Sequence, residues 1–251
     1  MSWPVDVRRG SPLGRRSGHA RRVTIALLVG VVWVAAGEAA GRSVTFRADD
    51  GRTVTGTLFE ASRTPAAAVV LLPALGHPRD EWQALGQRFA DLNITALAID
   101  LPGPTAPAEP KELAGWNVVV RASVSWLVAQ PTVRAASIGA AGASVGGSLV
   151  AIAAAADPRI KAVAIVSPSA DFRGVRLEAP LRQIGSRPVL FIASRKDPYA
   201  NRSARDLTKE GSGPRETLSG DAASHGVPLL TAEPDLAARL LEWFLRTLGV
   251  N

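Results

Sequence analysis

Residues 136–156 read ASIGAAGASVGGSLVAIAAAA, and the order of residue types within them decides the fold. The apolar run Ala136–Ala141 suits a buried strand, and a helix is expected from Val145 to about Ala156. Between them stands Gly142-Ala143-Ser144-Val145-Gly146, a G-x-S-x-G pattern in a strand–turn–helix context, which is the setting of a nucleophile elbow. A serine lifted above a sheet must sit in a sharp, strained turn. Residues two positions away on either side then approach too closely for a Cβ, so Gly142 and Gly146 are the expected types. The turn would also hold the hydroxyl over the positive end of the following helix.

The same alternation extends in both directions. Upstream, SVTFRA and TVTGTLFE alternate apolar and polar positions around Asp50-Gly51, a two-residue hairpin signal. AAAVVLLP, ending at Pro73, is a buried-strand run, followed by a helical pattern from about Trp82 to Leu92. ITALAIDLPG is a further strand, and a helix is expected from about Lys111 to Gln130. Downstream, KAVAIVSPS and RPVLFIAS are apolar strands that end in polar residues, and RETLSG is a last short one. Leu236, Leu240, Leu241, Phe244 and Leu248 share one face of a final helix, with Pro234 in its first turn and Gly249 at its stop. Strands that are apolar throughout and alternate with helices imply a mostly parallel sheet covered on both faces. Functional groups in such sheets gather beyond the carboxyl ends of the strands.

Charge divides the 251-residue chain unevenly. Of the formal +7, +5 falls within residues 1–22, from Arg8, Arg9, Arg15, Arg16, Arg21 and Arg22 against Asp6. The remaining +2 is spread over 229 residues with no aromatic-interleaved basic stripe, so nucleic acid is not an expected partner. Val23–Ala36 is an uncharged apolar run directly after Arg21-Arg22, and the small-residue stretch GEAAG follows it. Basic, apolar and small-residue regions in that order form a secretory signal, with cleavage expected near Ala39 or Ala40. A retained anchor is the alternative, giving membrane contact through residues 23–40 only. The expected organisation is thus a basic region (1–22), a signal or anchor (23–40) and an outward-facing domain (41–251). There is no cysteine, which excludes disulfides, a thiol nucleophile and Cys-ligated zinc. The three histidines are scattered without ligand spacing, so neither a metal nor another cofactor is expected.

A serine needs a base, and histidine has the suitable proton affinity. His19 lies in the basic region and His77 four residues after Pro73; His225, in DAASHGVPLL, follows the last strand and is the one placed to serve Ser144. The acid that would orient the imidazole is Asp197, in SRKDPYA, or Asp171, in SPSADFRG. Helix capping is the structural alternative for both. Val145 N–H, at the helix start, is one expected donor to an oxyanion. Arg173, Arg176 and Arg182 lie between two strand ends, where they would attract a substrate carboxylate or stand as solvated surface charge.

With these residues, 43–251 resembles the α/β-hydrolase superfamily, in particular its dienelactone-hydrolase-like serine esterase branch. The resemblance implies an α/β-hydrolase fold with an N-terminal antiparallel hairpin and a minimal lid, since only about twenty residues separate Ser167 from Pro188. It implies a Ser-Asp-His chain order of 144, 197 and 225, the loop after the penultimate strand being the usual source of the acid. Where the family carries His-Gly after the first parallel strand, this chain has Pro73-Ala74, which makes Leu75 the expected second oxyanion donor. The dienelactone hydrolases proper use cysteine, so their specific activity is not carried over. The implied substrate is a small-molecule ester or acyl compound. An acyltransferase or peptidase could use the same triad, and a non-catalytic binding protein could use the same fold.

Overall fold

The computed structural model describes residues 41–103, 105–107 and 109–250. The expected basic region and the signal or anchor segment therefore lie outside the described residues. In chain order the elements are β1 (Arg42–Arg47), β2 (Thr53–Phe59), β3 (Ala66–Leu72), α1 (Gln83–Asp91), β4 (Ile94–Ile99), α2 (Pro110–Gly115), α3 (Asn117–Val128) and β5 (Val133–Ala143). They continue with α4 (Val145–Ala156), β6 (Ile160–Val166), β7 (Asp171–Phe172), β8 (Val175–Arg176), α5 (Glu178–Ile184) and β9 (Val189–Ser194). α6 (Pro198–Leu207), β10 (Arg215–Gly220), α7 (Val227–Ala232) and α8 (Pro234–Thr247) complete the described chain.

Eight strands form one sheet in the order β1-β2-β4-β3-β5-β6-β9-β10. β1–β2 and β2–β4 pair antiparallel, and every other neighbouring pair is parallel. Side chains alternate across the strands, so neighbours serve different faces. Val70 and Leu72 of β3 pack in the layer containing α3, α4, α5 and α6, whereas Val69 and Leu71 pack with α1, α7 and α8. All four are fully buried, as a sheet covered on both sides requires.

The expected strands and the helices after β3, β5 and β10 form, with local differences. The first hairpin turns through residues 48–52 rather than two residues, with Gly51 at φ 84° and Arg52 N–H donating to Asp50 Oδ1. The helix expected from Lys111 to Gln130 is two helices, α2 and α3. The break comes at Gly115-Trp116, where Trp116 is buried and Asn117 Nδ2 donates to Ala114 O at 2.7 Å. Glycine is a poor helix former, and that side-chain donor takes a carbonyl the helix would otherwise use. β5 starts earlier than Ala136, at Val133.

The registers set the position of the site. Leu72 pairs with Gly142, Ala143 with Val166, Val166 with Ile192, and Ser194 with Gly220. The carboxyl ends of β3, β5, β6, β9 and β10 therefore finish along one edge. Loops leaving that edge carry Leu75, Ser144, Asp197 and His225.

Candidate active site

Ser144 stands alone between β5 and α4, with φ 51° and ψ −117°. A non-glycine residue in this region costs about 1–3 kcal/mol and needs surroundings that enforce it. Hydrogen bonds on both sides do so. Ser144 N–H donates to Val166 O at 2.8 Å, continuing the sheet, and Ser148 N–H donates to Ser144 O at 3.1 Å, starting the helix. A Cβ on Gly142 would lie 2.3 Å from Gly146 C, and a Cβ on Gly146 would lie 2.3 Å from Pro73 O. Both glycines thus leave room for backbone. Their flanking residues Ala141, Ala143 and Val145 are buried, while Ser144 itself is partly exposed.

The close approach of Gly146 to Pro73 also brings the α4 N-terminus against the loop after β3. Val145 is the first residue of α4, so its N–H has no carbonyl one turn earlier in the helix to bond. Ala74–His77 closes a turn by His77 N–H to Ala74 O at 3.1 Å, with Gly76 at φ 77°. Leu75 N–H has no hydrogen-bond acceptor among the described residues. Two N–H groups from these segments are thereby available near the serine turn.

Asp197 and His225 meet at the carboxyl edge of β9 and β10. His225 Nδ1 lies 2.6 Å from Asp197 Oδ2. Asp197 caps α6 at the same time, its Oδ1 accepting Ala200 N–H at 3.0 Å. Acid and helix cap, set against each other as sequence readings, are both occupied by this one carboxylate. Burial works to raise its pKa, but hydrogen bonds from Ala200 N–H and His225, with the His225 charge and Tyr199 N–H, outweigh it and hold Asp197 below the ordinary carboxylate range. With Asp197 ionised, Nδ1 carries the ring proton and donates it, which leaves Nε2 as the free ring nitrogen. The backbone next to His225 runs close to the serine turn: a Cβ on Gly226 would lie 3.6 Å from Ala143 Cβ and 3.7 Å from Ala74 Cβ.

Asp171, the rival acid, is committed elsewhere. It pairs with Arg176 at 2.9 Å and accepts Gly174 N–H at 2.7 Å within the β7–β8 hairpin. Arg176 is thereby paired too, and Arg182 pairs with Glu210 at 2.6 Å. Glu210 precedes β10, and Arg215 at the start of β10 bonds Leu181 O and Gly185 O. Arg182 consequently sits toward the amino edge of the sheet, away from the carboxyl-edge loops that carry Ser144 and His225 and where a substrate carboxylate would be met. Arg173, at φ 51° with its guanidinium 5.6 Å from the Phe172 ring centre, has no carboxylate partner among the described residues. His77 pairs with Glu81 four residues on.

Two residues that hold the His225 loop escaped the sequence reading. Ser194 Oγ donates to Ala222 O, and Glu233 Oε1 accepts the N–H groups of both Asp221 and Ala222. No local pattern marks either one, because their partners are 28 and 11–12 residues away.

The model of the dienelactone hydrolase family matches residues 104–216, a span that includes Ser144 and Asp197 but ends before His225. Solved structures match over most of the chain. The chain has an α/β-hydrolase fold. A dienelactone hydrolase from Anabaena variabilis is 20% identical with a TM-score of 0.67, the match covering 83% of this chain and 98% of that one. The esterase domain of a Rhodothermus marinus protein is 20% identical with a TM-score of 0.65, covering 83% and 99%. Est1E from Butyrivibrio proteoclasticus is 17% identical with a TM-score of 0.66, covering 83% and 99%. No curated protein matches the sequence. At these identities the dienelactone-hydrolase-like likeness concerns architecture; the chemistry has to be argued from the site.

Proposed function

We propose that this chain is a serine hydrolase that cleaves carboxylic esters or related acyl bonds of small molecules through an acyl-enzyme. Ser144 is the nucleophile, His225 the general base and then acid, and Asp197 the group that orients the imidazole. His225 Nε2 takes the proton from Ser144 Oγ as the oxygen attacks the substrate carbonyl. The resulting oxyanion accepts hydrogen bonds from Val145 and Leu75 N–H. When the intermediate collapses, the carbonyl–oxygen bond to the alcohol breaks, and His225 returns its proton to the departing alkoxide. Water then attacks the acyl-serine by the same route in reverse, releasing the acid and restoring Ser144.

The observation that carries this reading is the Asp197–His225 pair at the sheet edge occupied by the strained Ser144 turn, with Gly226 packed against Ala143. A cleft of about 430 Å³ lined by Gly76, His77, Pro78 and residues 100–103 lies beside the Leu75 loop and offers room for a substrate substituent. A fluorophosphonate probe tests the assignment. Wild type should be labelled and hydrolyse simple esters, and Ser144→Ala should lose both. Folded wild-type protein that takes up no label and cleaves no ester would instead indicate a binding protein built on this fold.

The site of action is proposed to be outside the cytoplasm, supported by the basic, apolar and small-residue order of residues 1–40. N-terminal sequencing of the exported protein checks it: a start near residue 40 or 41 is expected, whereas protein found only in the cytoplasm with Met1 intact overturns it.

A further inference from the structure

A second strained serine lies one strand away from Ser144. Ser167 follows β6 with φ 52° and is 1% exposed. Its N–H donates to Ile192 O at 2.7 Å, tying it to β9, while the residue before it supplies the Val166 carbonyl that accepts Ser144 N–H. Its side chain turns to neither strand. Ser167 Oγ instead accepts Gly226 N–H at 2.8 Å, and that bond is buried.

The loop between β10 and α7 is therefore held at both ends. Ser194 and Glu233 fix Asp221 and Ala222 at its start, and Ser167 fixes the peptide joining His225 to Gly226 at its end. The intervening residues 223–225 are partly or fully exposed. Gly226 has φ 69°, a region that glycine enters because it has no Cβ, so no side chain at 226 helps to fix the peptide after His225. Asp197 holds the ring at Nδ1 but leaves rotation and translation about that one bond.

We infer that Ser167 is a positioning residue, whose buried hydroxyl anchors the peptide after His225 and so sets the imidazole in register with Ser144. The inference rests on the proposed triad. Its physical logic is that β6 supplies both reference points: the Val166 carbonyl fixes the nucleophile turn and the next side chain fixes the base. A displacement of about 1 Å in such a constellation can cost about a hundredfold in rate.

Ser167→Ala deletes the hydroxyl but keeps a Cβ at positive φ; Ser167→Gly deletes it and relieves the backbone. Both should lower kcat ten- to a hundredfold with KM changed less than twofold, and should slow fluorophosphonate labelling in parallel. Ser203→Ala is the control, because Ser203 Oγ, on α6, is likewise buried and accepts a backbone N–H, that of Ala170 at 3.1 Å, without touching the His225 loop; its kcat should stay near wild type. The far-downfield proton resonance of His225 Nδ1–H supplies a readout independent of turnover. It should shift or broaden in both Ser167 variants, also in a Ser144→Ala background, and persist in Ser203→Ala. Unchanged kcat in a folded Ser167→Gly protein, or lost kcat with the His225 resonance unmoved, overturns the inference. Should wild type itself prove inactive, the proposed activity falls, while the resonance in the Ser144→Ala background still decides whether Ser167 positions the ring.

Discussion

At the scale of single residues, the site depends on side chains that each satisfy two demands. Asp197 divides its oxygens between the α6 cap and His225, which makes it a rigid mount for the imidazole. Asparagine can keep the cap but cannot stabilise a positive imidazole. Asp197→Asn should therefore stay folded and lose about 10⁴ in kcat, the magnitude known for a triad acid. Asp171→Asn should leave kcat near wild type, since Asp171 is bound up with Arg176 and Gly174. Steady-state ester hydrolysis with a matched melting curve for each variant checks both expectations. Ser144 was legible because its strain forces a glycine pattern that shows in one dimension. Ser167 has the same kind of strain but no such pattern, because the residues packed around it come from β9 and the His225 loop.

At the scale of elements, the start of α4 is the most constrained. Gly146→Ala would drive a methyl into Pro73 O and Leu72, so either the helix or the loop after β3 must move. Overpacking of this kind costs about 1–3 kcal/mol or more, and a lower melting temperature with a fall in kcat at least as large as the fall in labelling is expected. The other end of α4 carries a stability device. Asp157 is buried, and Arg159 donates to both its oxygens at 2.6–3.1 Å. Burial raises its pKa, yet the Arg159 hydrogen bonds and the charges of Arg159 and Arg121 prevail and hold it below the ordinary carboxylate range. A lowered folded-state pKa contributes stability that is present above the ordinary value and vanishes as pH falls through the lowered one. Asp157→Asn should thus destabilise by about 1.5–3 kcal/mol near neutral pH, and the gap to wild type should close in acid. Urea titrations across pH 2–7 would reveal a constant gap if that account is wrong. Short elements such as α5, α7 and the β7–β8 hairpin were not anticipated, because so few residues carry too little periodicity to stand out.

At the scale of the whole molecule, the feature that bears on function is how little covers the carboxyl edge. The segment from Ser167 to Pro188 folds into the β7–β8 hairpin and α5, and Tyr199 O–H pins the hairpin to α6 through Asp171 O at 2.7 Å. Among the described residues, the segment between β6 and β9 thus brings only these short elements to the mouth. Across a series of p-nitrophenyl esters, kcat/KM should peak at short acyl chains and decline beyond about C6–C8, whereas a rise toward C16 would overturn the reading of a short, open mouth. The two cores, one on each face of the sheet, explain why fully apolar strands were readable: every side chain on β3, β4 and β9 must be buried whichever way it points.

Sequence alone determined what depends on neighbours along the chain. Strand and helix periods, the glycine-flanked serine and the parallel alternation are all consequences of local sterics and burial, and each leaves its mark within a dozen residues. Tertiary structure decided what depends on distance. It joined Asp197 to His225 across 28 residues, paired Arg176 with Asp171 and Arg182 with Glu210, and brought Ser194, Glu233 and Ser167 onto the histidine loop. A hydrogen bond needs its partner within about 3 Å, and only the folded sheet, not the order of residues, sets which side chains come that near.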